Sequence, residues 1–503
     1  PVFGSLPVVP VLLSARTPTA LRDQAQRLAD HLHTHPHTPL TDIAHTTTTR
    51  STFEHRAVLI TTDRDDLITG LQALAHNRPR PGLITGTATN HPHGVTWIFP
   101  GQGSQWPGMA LNLLNTSPLF AQAINECEQA LSPLVDWSLH EVLQGHPNAP
   151  GLDRVDVVQP VLFAIMVSLA RLWRALGIHP TAVVGHSQGE IAAACAINAI
   201  TLQDATTLIV KRSLAIAAHL AGKGAMASLA LPAEKARTLL THNVEIAAIN
   251  GPNSVVISGE PHAVHHIVTT CQTNGTQART LPVDYASHTT QVDTITHHIQ
   301  QAAAHIHPTT QPETFYSTIT GQPTDTATLT TDYWINNLRQ PVLLHPTIQN
   351  LTQQGHHTYL EISPHPVLTT HIQDTTPHAL THGTLRRNHN DITPLLTAMA
   401  TLHVHGTPIN WTTLHTHTNP HTTNLPTYPF QHKHYWLETT GAGDAAALGQ
   451  DTADHPLLRA VIDTPDGSLL LTGRLSQRTH PWLTDHRVRD TVLLPGTAML
   501  EMA

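Results

Sequence analysis

The sequence predicts an α/β fold whose central turn carries a nucleophile, and three observations indicate it. Short apolar runs rich in β-branched residues alternate with helix-forming segments along most of the chain. One such run, at 181–184, is closely followed by an alanine-rich helical segment that begins at Glu190. Between them, Gly185-His-Ser-Gln-Gly189 fits the Gly-x-Ser-x-Gly pattern of a nucleophile elbow.

Ser187 is the candidate catalytic residue at this turn. The glycines at 185 and 189 remove Cβ atoms where the turn is tightest, so the serine can project from it. The helix is expected to begin at the serine and to direct backbone N–H groups toward an oxyanion formed there. A serine that only shapes a structural turn is the alternative, and the flanking strand and helix favour catalysis.

The composition excludes several classes of partner. The 503 residues exceed one compact core, so about two to four domains are expected. Charged residues make up only 12%, and a net charge of −9 shows no surface for nucleic acid and no polybasic membrane patch. No segment is expected to reach the roughly 20 apolar residues of a membrane span. Because there are 41 histidines, the surface charge should rise below about pH 6.5.

The cysteines and the chain ends indicate the setting of the protein. Cys127, Cys195 and Cys271 are odd in number and widely spaced, which argues against a disulfide framework and favours a reducing cytoplasm. The first residues lack the basic start and long apolar core of a signal peptide. The chain starts without methionine and stops within an apparent helix, so we expect a piece of a longer protein.

Residues 1–93 are predicted to form a small α/β domain without a catalytic constellation. The histidine-rich stretch at 31–37 is a candidate metal site, but it lacks Cys or Glu partners at ligand spacing. A solvated polar loop is therefore the favoured interpretation.

A second unit opens with an apolar strand at 95–99 that leads into Gly101-Gln102-Gly103. A dinucleotide-binding loop would need a third glycine where Trp106 stands, so that interpretation fails. Backbone freed by the two glycines can instead direct an N–H group at a small anionic centre.

Arg212 is a candidate anion-binding residue on a helix predicted at about 202–220. It lies four residues after Leu208 and four before Ile216, and therefore shares an apolar helix face. An arginine on an inward face is costly unless it meets an anion. An internal salt bridge to Asp or Glu is the alternative.

The segment at 225–282 has the order strand, helix, strand, strand, helix, strand, which suggests a small ferredoxin-like insert. His288 follows where this insert returns to the main body, at the expected edge of a cleft. Residues 310–385 return to α/β patterning, and a helix is predicted from Asp391 to Val404. The extended segment after that helix carries aromatic residues that are expected to pack: Tyr428, Phe430, Tyr435 and Trp436.

Three motifs in this order resemble the acyltransferase domain of modular (type I) polyketide synthases. They are Phe99-Pro-Gly-Gln-Gly-Ser-Gln-Trp106, Gly185-His-Ser-Gln-Gly-Glu190 and Tyr285-Ala-Ser-His288. Each motif alone is modestly specific, and their common order makes the resemblance strong.

The flanking segments resemble other parts of such a synthase. Residues 1–93 are similar to the linker between ketosynthase and acyltransferase. Residues 386–440, with Tyr428-Pro-Phe-Gln-His-x-His-Tyr-Trp436, resemble the linker that follows the acyltransferase and wraps back over it. Residues 455–503, with His480-Pro-Trp-Leu-Thr-Asp-His486 and Leu494-Pro-Gly-Thr-Ala498, resemble the start of a dehydratase domain.

The resemblance implies an α/β-hydrolase-like core at 94–385 with a ferredoxin-like inserted subdomain at about 225–285. The small α/β linker domain precedes this core. The linker at 386–440 and a flexible small-residue linker at 441–454 follow it. A truncated start of a hotdog-fold domain ends the chain at 455–503.

The resemblance also assigns roles within the site. It makes Ser187 the nucleophile and His288 its general base, with the imidazole oriented by the backbone rather than by an acid. The backbone N–H groups of Gln102 and Gln188 would form the oxyanion hole. Arg212 would pair with the free carboxylate of a malonyl-type extender unit.

The implied reaction is ping-pong acyl transfer from CoA to Ser187 and then to the phosphopantetheine thiol of an acyl carrier protein. The domain is expected to bind no cofactor of its own. Its expected partners are methylmalonyl-CoA, the carrier protein, and the ketosynthase and dehydratase domains of the same module. Neither nucleic acid nor a membrane is expected as a partner.

The extender is expected to be methylmalonyl. In the family, Gln188, the segment at 154–159 and the Tyr-Ala-Ser-His motif are associated with that substrate. Tyr285, Ala286 and Ser287 are therefore candidate substrate-binding residues, and the last two leave room for a methyl group. A malonyl-selective enzyme is the alternative, because one methyl group is worth only about 1–3 kcal/mol.

His486 is the candidate base of the dehydratase fragment. The family motif His-x-x-x-Gly-x-x-x-x-Pro has Asp490 at its glycine position here. The acidic partner expected later is absent from the chain. The fragment is therefore not expected to act in this chain, and the motif puts the activity of the full dehydratase in doubt.

Two rival functions remain open on sequence grounds. An α/β-hydrolase or thioesterase shares the Gly-x-Ser-x-Gly pattern. Its catalytic histidine is expected near the C-terminus, and its reaction does not require Arg212 to bind a second carboxylate. A non-catalytic docking scaffold suits the flanking linkers better than the centre.

Overall fold

The computed structural model of the chain describes residues 1–89, 94–389, 391–415, 419–431 and 445–503. The chain divides into two compact units, Pro1–Phe430 and Gln431–Ala503.

The first unit contains three sheets with helices packed against them. Its strands are β1 Val9–Ala15, β2 His55–Thr61, β3 Leu83–Thr87, β4 Val95–Phe99, β5 Pro180–Gly185, β6 Ala225–Leu229, β7 Val244–Gly251, β8 Ser254–Gly259, β9 Ala278–Thr280, β10 Thr314–Ser317, β11 Gln322–Thr324, β12 Thr358–Glu361 and β13 Leu380–Gly383. Its helices are α1 Pro18–Thr34, α2 Leu40–Thr48, α3 Arg64–Ala75, α4 Leu111–Thr116, α5 Pro118–Leu131, α6 Leu139–Gln144, α7 Val155–Ala175, α8 Gly189–Ala196, α9 Leu202–His219, α10 Ala233–Arg237, α11 Pro261–Thr273, α12 Thr296–Ala303, α13 Thr331–Arg339, α14 Leu344–Gln353, α15 Thr369–Thr375 and α16 Ile392–Val404.

The central sheet has the order β11-β10-β5-β4-β12-β13 and is parallel except for the edge strand β11. Strand β4 is buried along its whole length, and β5 is buried except at Thr181. Continuous apolar runs of this kind are typical of a parallel sheet covered by helices on both faces. The loops after β4 and β5 leave the sheet side by side at the carboxyl ends of the strands, where ligands bind in open α/β sheets.

The insert is a four-stranded antiparallel sheet of order β7-β8-β6-β9 with α10 and α11. Its chain order is the predicted βαββαβ arrangement, and it has a core of its own built around Val255, Ile257 and Val264. The ferredoxin-like subdomain is therefore confirmed.

Helix α7 corrects one expectation from the sequence. By length and composition it could cross a membrane, with a mean hydropathy of 1.7 over its most apolar window. The expectation that no segment reaches this composition was therefore wrong. Here 89% of that window is buried inside the protein, as in a core helix packed between neighbours.

The segment after the central sheet packs against the first sheet, which is antiparallel with the strand order β1-β2-β3. Arg56 donates a hydrogen bond from Nη1 to the backbone oxygen of His403 on α16, at 2.7 Å. Arg50 donates to the backbone oxygens of Leu425 and Pro426 at 3.0 and 2.7 Å. Two guanidinium groups therefore hold this later segment through its backbone carbonyls.

The aromatic residues of that segment pack to different extents. Tyr428 packs against the core of the first sheet, and its hydroxyl accepts from the backbone N–H of Arg16 at 3.0 Å. Phe430 is 70% exposed, and its ring packs only at the surface, against Tyr428 with the ring centroids 5.0 Å apart. Tyr435 and Trp436 lie outside the described residues.

The second unit contains the strands β14 Asp451–Thr452, β15 Ala460–Asp463, β16 Leu469–Thr472, β17 Arg487–Val488 and β18 Thr491–Val492 and the helix α17 Gly496–Met502. Strands β14 to β16 form an antiparallel sheet. The predicted linker at 441–454 is thus not structureless throughout, because Ala446–Leu448 form a 3₁₀ helix and β14 pairs with β15.

The hairpin of β17 and β18 accounts for the glycine position in the dehydratase motif. Its two turn residues, Arg489 and Asp490, have φ of 46° and 65°. A turn with both central residues at positive φ favours Gly, Asn or Asp, so Asp490 is tolerated where the family has glycine. His486 is exposed, and its Nδ1 lies 3.1 Å from the backbone oxygen of Leu493.

In the turn between β5 and α8, backbone segments lie so close together that no Cβ atom fits between them. A Cβ atom on Gly185 would lie 2.1 Å from the backbone nitrogen of Glu190, and one on Gly189 would lie 2.1 Å from the backbone oxygen of Phe99. Helix α8 begins at Gly189, two residues later than the expected start at the serine. The glycines therefore allow helix α8 to lie directly against the end of β4.

We expect Gly189→Ala to destabilise the protein, because its Cβ would meet backbone that cannot move aside. Overpacking of this kind costs about 1–3 kcal/mol. The free energy of unfolding, measured by denaturant titration, should fall by that amount. Gly4→Ala is the matched control, since its Cβ would make an ordinary contact of 3.6 Å with the backbone oxygen of Thr116. Equal stability of the two variants would contradict the role of Gly189 in this contact.

Candidate active site

A cavity of about 260 Å³ lies between the central sheet and the insert. Most of the predicted site residues line it, namely Gln102, Ser187, Gln188, Arg212, Tyr285, Ser287 and His288. Ala286 does not line it: a Cβ on Gly224 would lie 2.2 Å from its backbone nitrogen, so Ala286 packs tightly against the start of β6. Of the segment at 154–159, only Gln159 reaches the cavity.

Ser187 stands at the tip of the elbow with φ of 55°, in the left-handed region that a non-glycine residue rarely adopts. Its Oγ lies 2.9 Å from Nε2 of His288. The two residues are 101 positions apart in sequence and meet because the insert returns its chain to the edge of the elbow. The structure therefore places a nucleophile and a base within hydrogen-bonding distance.

The backbone oxygen of Gln340 orients the His288 imidazole. It lies 2.7 Å from Nδ1, and since a carbonyl can only accept, Nδ1 carries the proton and Nε2 presents a lone pair to Ser187. Burial, assisted by the charge of Arg212, lowers the pKa of His288 to about 3. The imidazole is therefore neutral and ready to accept a proton at physiological pH.

Arg212 is buried, with 2% of its surface exposed. Its Nη1 donates to Oδ1 of Asn337 at 2.6 Å, and its Nη2 lies 3.4 Å from Oγ of Ser187. No ion pair with a carboxylate within 4.0 Å involves Arg212 among the described residues, so the alternative of an internal salt bridge was wrong. Burial lowers the pKa of Arg212 to about 10, which leaves it charged at neutral pH.

The side chains around the proposed oxyanion hole form a polar network. The Tyr285 hydroxyl donates to Oε1 of Gln102 at 2.9 Å and accepts from Nε2 of Gln159 at 3.3 Å. These bonds fix the loop after β4 that carries the Gln102 N–H. Gln188 is the N-cap of α8, and both atoms of its buried side-chain amide lack a partner among the described residues. The cavity thus contains a polar group that is available to a ligand.

Three residues of the site were missed by the sequence analysis: Glu190, Asn337 and Gln340. Glu190 directly follows the elbow glycine and is fully buried, and Asn337 is 2% exposed. The position of Glu190 after the motif was a usable signal, because a carboxylate at the buried start of a helix needs partners. Neither Asn337 nor Gln340 belongs to a recognisable motif. Gln340 acts through its backbone carbonyl, which every residue type possesses, so the sequence alone could not identify it.

His486, the predicted base of the dehydratase fragment, belongs to the second unit and does not line this cavity. Among the residues of the cavity lining there is no aspartate or glutamate. The described lining therefore offers two arginines (Arg212 and Arg279), three histidines (His186, His288 and His371) and several amides to a bound group.

Comparison with known proteins identifies the family. Residues 96–408 match the acyl transferase domain family. The acyltransferase domain from module 8 of the salinomycin polyketide synthase is 42% identical, with a TM-score of 0.78 over 82% of this chain and 99% of that one. The chain belongs to the acyltransferase domains of modular polyketide synthases. A loading acyltransferase from the avermectin synthase is also 42% identical, with a TM-score of 0.60 over 62% of this chain and all of that one.

The flanks of the acyltransferase match as well. Residues 10–71 match a family described as CurL-like, PKS C-terminal, and residues 455–503 match the polyketide synthase dehydratase domain. The predicted family and fold class are thereby confirmed. The domain boundaries proposed at 93, 385, 440 and 454 stay predictions.

Relatives of the whole chain are multidomain synthases. The chain is 45% identical to mycoketide-CoA synthase of Mycobacterium tuberculosis and 44% identical to the pikromycin polyketide synthase component PikAII of Streptomyces venezuelae, in each case over 99% of its own length. It spans only 12% and 13% of these two relatives.

The lowered pKa of His288 predicts the pH dependence of acylation. With a pKa of about 3, the imidazole stays neutral as pH falls from 8 to about 5, so the base remains active over that range. The rate of acyl-enzyme formation, followed by rapid quench and mass spectrometry, should therefore show no inflection near about 6.5, the ordinary histidine value. Circular dichroism over the same range controls for unfolding. A tenfold loss of rate per unit below about pH 6.5 in folded protein would contradict this assignment.

Proposed function

We propose that this acyltransferase loads a malonyl-type extender unit, methylmalonyl, from CoA onto Ser187 and passes it to the phosphopantetheine thiol of an acyl carrier protein. The observation that carries the proposal is the buried guanidinium of Arg212, which faces the nucleophile at 3.4 Å without a carboxylate partner. A bound acyl group with a free carboxylate would supply the missing anion while its thioester carbon meets Ser187.

The reaction follows from the positions of the two residues of the dyad. Nε2 of His288 takes the proton of Ser187 as Oγ attacks the thioester carbonyl, and the same proton then protonates the leaving CoA thiolate. The N–H groups of Gln102 and Gln188 would stabilise the negative oxygen of the tetrahedral intermediate. The carrier thiol next attacks the acyl-serine as Nε2 of His288 takes the thiol proton, and His288 then delivers that proton to Oγ of Ser187 as the acyl–oxygen bond breaks.

Extender selectivity is assigned to the wall of the cavity that Ser287 and Met226 line. Ser287 lines the cavity, and its Oγ lies 3.4 Å from Sδ of Met226, so a small polar residue and a flexible thioether share this wall. A phenylalanine at 287 would occupy the space available to a methyl group. This supports methylmalonyl over malonyl as the preferred extender. One methyl group changes the free energy of discrimination between two substrates by only about 1–3 kcal/mol, so the selectivity is a preference.

The partners of the proposed reaction are the carrier protein and the neighbouring ketosynthase and dehydratase domains, which the matched flanking families support. We propose no cofactor beyond the acyl-CoA substrate and the carrier-bound phosphopantetheine. A cytoplasmic location belongs to the same proposal. It is supported by three free cysteines, all of them buried.

A hydrolase is the second candidate, because it would use the same serine and base. Two features argue against it. The imidazole is oriented by the backbone oxygen of Gln340, where hydrolases of this fold use an acid. The second feature is Arg212, which bonds to no carboxylate among the described residues. A hydrolase of uncharged esters would have no anionic group for this arginine to bind.

We expect Ser187→Ala to abolish the covalent acyl adduct formed with radiolabelled methylmalonyl-CoA while the fold survives. The side chain is a single hydroxyl in a cavity, so its loss removes little packing. Ser132→Ala, at an exposed helix end, is the control and should acylate normally. Rapid release of free acid by the unmodified protein would instead support the hydrolase, and an adduct on Ser187→Ala would refute the nucleophile.

We expect replacement of Tyr285-Ala-Ser-His288 by His-Ala-Phe-His to shift selectivity toward malonyl-CoA. The ratio of kcat/KM values should move by roughly 10–200-fold at most, since Gln188 and Gln159 still shape the cavity. Because this swap also removes the Tyr285 hydroxyl that holds Gln102, Ser287→Phe alone is the cleaner variant and Ser287→Ala its volume control. Equal losses for both substrates in competition experiments would show that the motif only positions His288.

A further inference from the structure

Asn337 lies on α13 between the buried side chains of Arg212 and Glu190. Its Oδ1 accepts from Nη1 of Arg212 at 2.6 Å, and its Nδ2 donates to Oε2 of Glu190 at 2.8 Å. The same Nδ2 donates to the backbone oxygen of Ser187 at 3.1 Å. One amide group thus contacts the anion-binding arginine, the elbow and a carboxylate.

Glu190 is the carboxylate that could neutralise Arg212 from within the protein. It is fully buried, and burial raises its pKa, whereas four donated hydrogen bonds on its two oxygens favour the ionised form. The two groups form no direct ion pair. Glu190 bonds to other partners instead. Its Oε1 accepts from the backbone N–H and the hydroxyl of Thr318 at 2.6 and 2.8 Å, and its Oε2 accepts from the Tyr333 hydroxyl at 2.7 Å. The fourth bond comes from Asn337.

A neutral amide is suited to this place because it presents an acceptor to the cation and a donor to the anion. Opposite charges attract strongly in a site from which water is excluded, and without a group between them they would pair. An arginine in such a pair has lost the donors that a ligand carboxylate needs.

We propose that Asn337 is a positioning residue that keeps Arg212 separated from Glu190, so that the guanidinium remains available to the carboxylate of the extender unit. This inference rests on the proposed function, since it requires a carboxylated substrate. The bond from Asn337 to the Ser187 carbonyl also fixes the distance between the anion site and the nucleophile. The acyl group can then reach both at once.

The test compares methylmalonyl-CoA with propionyl-CoA, which lacks only the carboxylate. Asn337→Asp keeps the size of the side chain and the acceptor for Arg212 but adds a competing charge beside it. We expect kcat/KM for methylmalonyl-CoA to fall by about 10–100-fold, mostly through KM, as for loss of a charge-assisted contact. Propionyl-CoA should lose much less, so the preference between the two substrates should shrink by at least about tenfold.

Asn336→Asp is the matched control. It lies one residue earlier on the same helix, and its side chain is exposed, so it adds the same charge without touching the site. We expect its substrate preference to equal that of the unmodified protein.

A second pair of variants covers the case in which Asn337→Asp does not fold. In Asn337→Ala, Arg212 is expected to turn to Glu190 and the preference for methylmalonyl-CoA to fall. Adding Glu190→Gln removes the competing carboxylate and should restore at least part of that preference. Equal losses for both substrates in Asn337→Asp, or a double variant no more selective than Asn337→Ala, would overturn the proposal. Failure of the proposed function would look different, because the unmodified protein would then show no preference for methylmalonyl-CoA.

Discussion

The site depends on one buried positive charge. Arg212 is buried close to the elbow, no carboxylate of the described residues bonds to it, and burial lowers its pKa. A charge of this kind is costly unless an anion is present for part of the working cycle. The same charge helps to keep His288 neutral, because it disfavours a second cation nearby. One residue therefore prepares both the anion site and the base.

The elbow brings this charge and the nucleophile together. Gly185 and Gly189 allow α8 to start against the end of β4, and Ser187 is held at a positive φ where its side chain faces the cavity. His288 also has a positive φ, 60°, at the point where the insert rejoins the main body. Both residues are held in a strained backbone conformation, and Oγ of Ser187 lies 2.9 Å from Nε2 of His288. Such strain persists only where the surrounding structure imposes it.

The end of α13 provides the support for both strained residues. The backbone oxygen of Leu338 accepts from the His288 N–H at 2.9 Å, and that of Gln340 accepts from its ring. Asn337, in the same turn, bonds to the Ser187 carbonyl. A short helix far along the chain from the elbow thus sets the relative positions of nucleophile and base, and a shift of α13 would move both.

The sequence by itself predicted the family, the βαββαβ insert and the candidate roles of Ser187, His288 and Arg212, because these depend on local patterns and on motifs whose order resembles a known family. Gly-x-Ser-x-Gly needs only five consecutive residues, and an arginine on an apolar helix face is visible from a spacing of four. Only the tertiary structure showed that Arg212 has no ionic partner in the described part of the chain, that Ala286 lies outside the cavity, and that Asn337 and Gln340 belong to the site. These facts depend on contacts between residues about 50 to 150 positions apart, and on a backbone carbonyl that every residue possesses. Local patterning predicts which elements form, whereas the packing of those elements decides which polar groups meet in a site closed to water.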